Sequence, residues 1–267
     1  MPTFGSLFAG IGGIDLGLER AGWACRWQVE WDPFCQHVLA HHWPDVPRYG
    51  DITSVDWNAV ERVDLLAGGF PCQPVSIAGR KGAQRDERWL WPEFLRTIRA
   101  LRPRLVLLEN VPNLLAVNDG SAFGDIVGDL AASGYDAEWD CIPAAAVGAF
   151  HSRDRVWIVA YAQRRQLGQF DGAQRRTDAV PRNRSETVAD PEGSRLEGWK
   201  VGRDIRPIFA GPREGGWAVG GEWSVEPDVG RVAHGVPARV DRLRALGNAV
   251  VPQVVEMIGR RLVEVIA

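Results

Sequence analysis

Short unbroken apolar runs alternate with segments whose apolar residues recur every three or four positions over the first three-fifths of the chain. The runs predict strands at residues 3–8, 24–30, 63–68 and 105–108, with two more near 135–142 and 155–160. A short third strand is expected to end in Tyr49-Gly50-Asp51-Ile52. Between them the spacing predicts helices. One carries Ile14, Leu16 and Leu18 and stops near Gly22. The next opens at Asp32-Pro33, an acidic cap followed by proline at the first helical position. A third opens at Pro92 and must stop before Pro103, and a fourth spans about 122–132 and closes at Gly134. Leu105-Val106-Leu107-Leu108 is apolar at every position, as a parallel strand covered on both faces requires. Strand and helix in strict turn define a doubly wound α/β sheet.

From residue 162 the periodicity fades. Residues 162–236 are rich in Gly, Arg, Pro and Asp and predict a loop-rich module. Regular structure returns at Pro252, where Val254, Val255, Ile258, Leu262, Val263 and Ile266 fall on helical spacing. The expected organisation is therefore a 1–161 domain, a 162–236 insertion and a 237–267 segment that packs back on the first part.

Composition changes this picture little. The 267 residues are 45% hydrophobic and 24% charged, enough to build a core, and the net charge is −3. No global positive field is present, which excludes a purely electrostatic nucleic-acid binder. Of 31 basic residues, all but Lys81 and Lys200 are arginine; genomic composition bias is the favoured reading of this excess, which nonetheless equips the surface for bidentate contacts with phosphate or guanine. Arg164, Arg165, Arg175, Arg176, Arg182 and Arg184 stand against Asp171 and Asp178 in residues 162–184, a local charge of 6 − 2 = +4. The four cysteines are far apart, so neither a zinc cluster nor a disulfide framework is expected. His37 and His41 are four apart but lack an accompanying carboxylate, and read as ordinary helix residues. No apolar stretch approaches a membrane span, and no leader is apparent; the expectation is a cytoplasmic protein without metal.

Candidate chemistry gathers at the C-terminal ends of the strands, the edge where open α/β sheets bind ligands. Gly10-Ile11-Gly12-Gly13 lets backbone approach a ligand closely. The dinucleotide fingerprint needs a further glycine at position 15, which is Asp15 here, so nicotinamide is disfavoured. Glu30 can accept the two hydroxyls of a ribose, Trp31 can stack on adenine, and Asp51 can accept from an adenine amino group. Three consecutive strand ends thus offer an adenosine site without a diphosphate cradle, which suits S-adenosylmethionine. Helix capping by Glu30 and Asp51, with Trp31 in the core, is the competing reading. Cys72, between Pro71 and Gln73-Pro74, puts a thiol on a rigid loop directly after the fourth strand. With Glu109, it sets a nucleophile and an acid before one small planar substrate. Arg153 and Arg155, on alternate positions before an apolar strand, are expected to reach one site together.

The order Phe8-Ala9-Gly10-Ile11-Gly12, Glu30-Trp31, Gly50-Asp51-Ile52, Gly69-Phe70-Pro71-Cys72-Gln73-Pro74, Glu109-Asn110-Val111, Arg153 with Arg155, and Gly247-Asn248-Ala249-Val250 resembles the DNA (cytosine-5)-methyltransferase family. The resemblance covers about residues 3–161 and 237–265. It implies a Rossmann-like class I methyltransferase sheet with a target-recognition insertion. It further implies transfer of methyl from S-adenosylmethionine to C5 of a flipped-out cytosine in duplex DNA, leaving S-adenosylhomocysteine. Cys72 would add to C6, Glu109 would hold N3 and the exocyclic amine, Arg155 would contact O2, and Arg153 would support the catalytic loop or the DNA backbone. Phe8, Gly10, Gly12, Glu30, Trp31, Asp51, Ile52, Pro71, Leu90, Asn248 and Ala249 would line the cofactor site. Gln73, Ser76, Arg88, Arg164 and Arg165 would face DNA, residues 75–91 forming a lid. His151 stands where the family usually has glutamine, and Trp89 where it usually has glycine. The implied setting is a monomer in a bacterial or phage-infected cell, with a companion restriction endonuclease left open. An RNA (tRNA) cytosine-5 methyltransferase on the same scaffold, or a non-catalytic DNA-binding relic, are the alternatives.

Overall fold

A computed structural model describes residues 1–71, 89–163 and 239–266. Seven strands form one sheet: β1 (Thr3–Leu7), β2 (Ala24–Val29), β3 (Arg48–Tyr49), β4 (Leu65–Gly68), β5 (Leu105–Asn110), β6 (Tyr135–Ile142) and β7 (Arg155–Ala162). Their spatial order is β3-β2-β1-β4-β5-β7-β6. The pairs from β3 through β5 are parallel, whereas β7 runs antiparallel to both β5 and β6. The chain reverses direction across the sheet between β1 and β4, and that switch point opens a crevice at the carboxyl ends of the strands.

The expected α/β class holds, with differences at particular elements. The third strand stops at Tyr49. Asp51 instead accepts from the backbone N–H of Thr53 at 2.9 Å, which turns Ile52–Ser54 into a short 3-10 helix. β1 ends at Leu7 because Phe8 takes a left-handed φ of 53°. The direction of β7 was not expected from its apolar run.

Parity along the strands explains the core. Leu65, Ala67, Leu105, Leu107, Trp157 and Val159 point to one face; Leu66, Val106, Leu108, Val156, Ile158 and Ala160 point to the other. The first face is covered by α1 (Gly13–Arg20) and by the last helix. The second is covered by α3 (Trp91–Leu101) and α4 (Ser121–Ala132), while α2 (Pro33–His42) packs Leu39 beside Ala9 and Trp43. Helix α2 starts as its sequence predicts: the Asp32 carboxylate accepts from Phe34 and Cys35 N–H at 2.8 and 3.2 Å.

Beyond residue 238 come α5 (Arg239–Asn248), which the periodicity did not predict, and α6 (Pro252–Ile266), which it did. Ala245 is the one buried residue among 240–248, and the apolar Val240, Leu243 and Leu246 of α5 are exposed. Helix α6 seats closely on α1. A Cβ at Gly17 would come within 2.5 Å of Val255, and Trp23 Nε1 donates to the Gly259 carbonyl at 3.0 Å. Among the described residues no helix is long and apolar enough to cross a membrane.

Candidate active site at the carboxyl edge of the sheet

The turn after β1 is shaped by backbone. Gly10 and Gly12 take left-handed φ values of 57° and 84°, and Gly12 forms the N-cap of α1. A Cβ built at Gly10 meets no heavy atom within 4 Å, so open space lies above that residue. Glu30, just past β2, holds this turn: its Oε2 accepts from Gly10 N–H and its Oε1 from Asp32 N–H, both at 2.7 Å. Burial pushes the Glu30 carboxyl above its usual range, and these two N–H groups pull it back. Beside it Trp31 is 73% exposed, so the indole is no part of the core. Ile52, in contrast, turns its side chain into the core at 4% exposure. Asp51 does cap the turn that follows it, through Oδ1.

At the other side of the switch point, β4 ends in Gly68-Gly69. A Cβ at Gly69 would stand 2.5 Å from Glu109 Oε2, so the absence of a side chain is what admits the acid. Glu109 is placed by the β5–β7 pairing, opposite Trp157, and Arg155 at the start of β7 reaches it with Nε to Oε1 at 2.8 Å. The pair is nearly enclosed, with side-chain exposures of 11% for Glu109 and 20% for Arg155. Burial pushes the Glu109 carboxyl up to about 7, against the opposing pull of Arg155 and Arg153. Asn110 completes the edge. Its Nδ2 donates to the Phe70 carbonyl at 3.1 Å while its Oδ1 accepts from Val111 N–H at 2.9 Å. The peptide leading to Pro71 is thereby fixed from β5.

Arg153 departs from expectation. It precedes β7 with a φ of 34°, so it does not share a strand face with Arg155. Its guanidinium donates instead to the carbonyls of Gly247 (2.8 Å) and Ala249, tying down the end of α5. The same segment touches the glycine turn, since a Cβ at Gly13 would lie 3.0 Å from Val250. Asn248 is exposed there and Ala249 half-buried. Arg153 thus connects the two ends of the crevice rather than doubling Arg155.

Trp89 is buried and packs edge to face on Phe70, with ring centroids 5.5 Å apart. Phe70 also meets Trp91 and Phe94, and Phe94 in turn meets Phe8. Pro71 is exposed and Leu90 half-buried on either flank of this aromatic cluster. Cys72, Gln73, Ser76, Arg88, Arg164 and Arg165 lie outside the described residues.

Two features escaped the sequence reading. Asp15 is fully buried and accepts from Ser6 Oγ (3.1 Å) and Gln28 Nε2 (2.9 Å), which joins α1 to β1 and β2. Burial raises its carboxyl to about 6. A carboxylate where the dinucleotide fingerprint has glycine was the available signal. The demand for glycine at 69 had only the doubled Gly68-Gly69 to announce it.

A doubly wound sheet with a glycine turn over β1 and a buried acid–arginine pair across the switch point defines a ligand-binding α/β enzyme scaffold. The chain belongs to the C-5 cytosine-specific DNA methylase family, whose model matches residues 2–205. It is 36% identical over 160 residues to the Type II methyltransferase M.BsuFI of Bacillus subtilis, a match covering 60% of this chain and 39% of that protein. It is 30% identical over 168 residues to M.HhaI of Haemophilus parahaemolyticus, covering 62% and 51%. The chain therefore spans about half the length of these relatives, or less. In fold it is similar to a DNA modification methyltransferase encoded within an E. coli prophage. That likeness has a TM-score of 0.53 at 24% identity and covers 63% of this chain and 48% of the other.

Proposed function

We propose that this chain methylates C5 of cytosine in duplex DNA with S-adenosylmethionine as donor. The observation that carries the reading is Glu109, a carboxyl enclosed at the edge leading to Cys72 with Arg155 Nε 2.8 Å from its Oε1; burial pushes this carboxyl up to about 7. An acid with that affinity can give a proton to a ring nitrogen at neutral pH.

Stacked bases present only their edges, so the cytosine must leave the helix before its ring faces can be reached. The Cys72 thiolate adds to C6, forming a sulfur–carbon bond as the C5–C6 π pair is displaced. Glu109 delivers its proton to N3, which keeps that pair available as an enamine, and Arg155 donates to O2 while it orients the acid. After C5 has gained the methyl group, its proton passes to a base or to water. The returning electron pair then expels Cys72 as thiolate and restores the ring, and N3 gives its proton back to Glu109. The roles of Cys72 and Arg155 rest on the family resemblance; the acid's role rests also on its burial and pairing.

The cofactor side fits the donor. Glu30 retains lone pairs beyond those used by Gly10 and Asp32, and these suit ribose hydroxyls. Trp31 offers an exposed indole face for adenine, and Asp51 has an oxygen beyond the one that caps Thr53. Bound there, S-adenosylmethionine supplies an electrophilic methyl and leaves as S-adenosylhomocysteine. Residues 162–236 remain the proposed reader of DNA sequence, on the strength of their arginine-rich start.

The test is incubation with methyl-labelled S-adenosylmethionine and either mixed-sequence duplex DNA or tRNA, followed by nucleoside analysis. Labelled 5-methyldeoxycytidine is expected from DNA. Label confined to tRNA, or found in neither, contradicts the proposal.

A further inference from the structure

Asp51 and Ile52 stand on a loop that its own strand hardly supports, because β3 is two residues long. The loop is braced from α3. Arg96 Nη2 donates to the Ile52 carbonyl at 2.7 Å and Nη1 to the Val55 carbonyl at 3.4 Å. Its remaining nitrogen, Nε, pairs with Glu93 one turn earlier at 2.7 Å. The guanidinium also lies 6.0 Å from the centroid of the Trp57 ring. Every nitrogen of a rigid planar fork is therefore engaged, and two of the three hold main-chain oxygens of one short turn. The side chains of Ile52, Val55 and Trp57 are buried in the core below. Carbonyl oxygens on one side of the turn are thus fixed by Arg96, while the Asp51 carboxylate sits at its N-terminal cap.

We propose that Arg96 is a positioning residue for the adenine end of the cofactor site, setting the place of Asp51 and Ile52 without touching the ligand. The inference rests on the methyltransferase reading above. Without the fork, two carbonyls lose a charged donor and Glu93 loses its partner, so the turn is free to drift and the contacts it offers adenine loosen. Lysine keeps the charge but has a single ammonium, which cannot span both carbonyls and the carboxylate in this fixed geometry.

The experiment is calorimetric titration of S-adenosylhomocysteine into the full chain carrying Arg96→Gln or Arg96→Lys, well below each variant's melting temperature. Arg96→Gln is expected to raise Kd about tenfold and Arg96→Lys about threefold, since about 1.4 kcal/mol corresponds to tenfold. The same ratios should appear in KM for S-adenosylmethionine and not in kcat. Folded variants that melt earlier but bind with wild-type Kd would assign Arg96 to stability alone and overturn the proposal. Should Arg96→Gln fail to fold, an unchanged Kd for Arg96→Lys has the same force. A wild-type chain that takes up no S-adenosylhomocysteine defeats the methyltransferase reading itself, a result distinct from either.

Discussion

Glu30 and Glu109 are both carboxyls at the carboxyl ends of strands, and burial raises both above the ordinary range. Their partners differ. Glu30 is met by two backbone N–H groups at 2.7 Å, from a turn and a helix start that its own neighbourhood supplies. Glu109 is met by a side chain, Arg155, brought from another strand by an antiparallel pairing, and its second oxygen lies against a glycine. Fixed main-chain donors suit an acid whose remaining lone pairs hold hydroxyls. A near-dry pocket with one guanidinium bonded to the carboxylate and a second acting on it suits an acid that must both keep and release a proton. The crevice therefore divides into a holding half, whose acid is fixed by main-chain donors, and a reacting half, whose acid is fixed by a side chain from another strand.

Breaking the reacting half has the largest expected effect. Glu109→Gln removes the proton donor but keeps the shape, and the single-turnover methylation rate should fall by ~10²–10⁴-fold, with cofactor affinity nearly intact. A rate within threefold of wild type would remove Glu109 from the chemistry. Gly69→Ala comes next. The added methyl displaces the Glu109 carboxylate by its own collision, and a shift on the order of 1 Å costs about 10²-fold in rate. Because the struck atom is the end of a side chain, the melting temperature should move little; a large drop in stability with full activity in the folded fraction would contradict this account.

The holding half responds more weakly. Trp31→Ala should weaken S-adenosylhomocysteine binding by ~1–2 kcal/mol through lost stacking, measured by calorimetry. An unchanged Kd would separate Trp31 from the site. The smallest effect is on folding. Glu109 titrates near 7 in the folded chain against 4.5 as an isolated carboxyl, so the folded state holds the proton more tightly. Stability from this group is fully present below about pH 4.5 and is lost as pH rises through about 7. Between pH 5 and pH 8 wild type should lose about 1 kcal/mol or more relative to Glu109→Gln in urea melts. Parallel profiles for the two proteins would show that the carboxyl is not raised.

What the sequence made legible was local. The alternation of apolar runs and helical spacing, the Asp32-Pro33 start and the glycine turn depend on neighbours, and they appear nearly where expected. The candidate site was legible as a set of residue types at strand ends, down to Glu30, Trp31 and Glu109. Features set by distant partners were not. Nothing in Val156-Trp157-Ile158-Val159 states which way the strand runs, because an apolar run buries equally well in either direction. Arg153 and Arg155 read as two residues of one strand face until the positive φ of Arg153 turned its guanidinium toward Gly247 and Ala249. Asp51 looked like a strand end, but its side chain reaches its own backbone first. Arg96 gives no local sign, since its carbonyl partners lie more than forty residues away.

The most direct measurement is covalent trapping. A panel of duplexes in which 5-fluorocytosine replaces cytosine in every flanking context is incubated with the chain and S-adenosylmethionine, then resolved under denaturing conditions. Fluorine cannot leave C5 as a proton does, so the sulfur–C6 bond should persist. The account predicts a denaturant-stable protein–DNA adduct that Cys72→Ser abolishes. A panel that yields no adduct while cytosine duplexes are still methylated would contradict it.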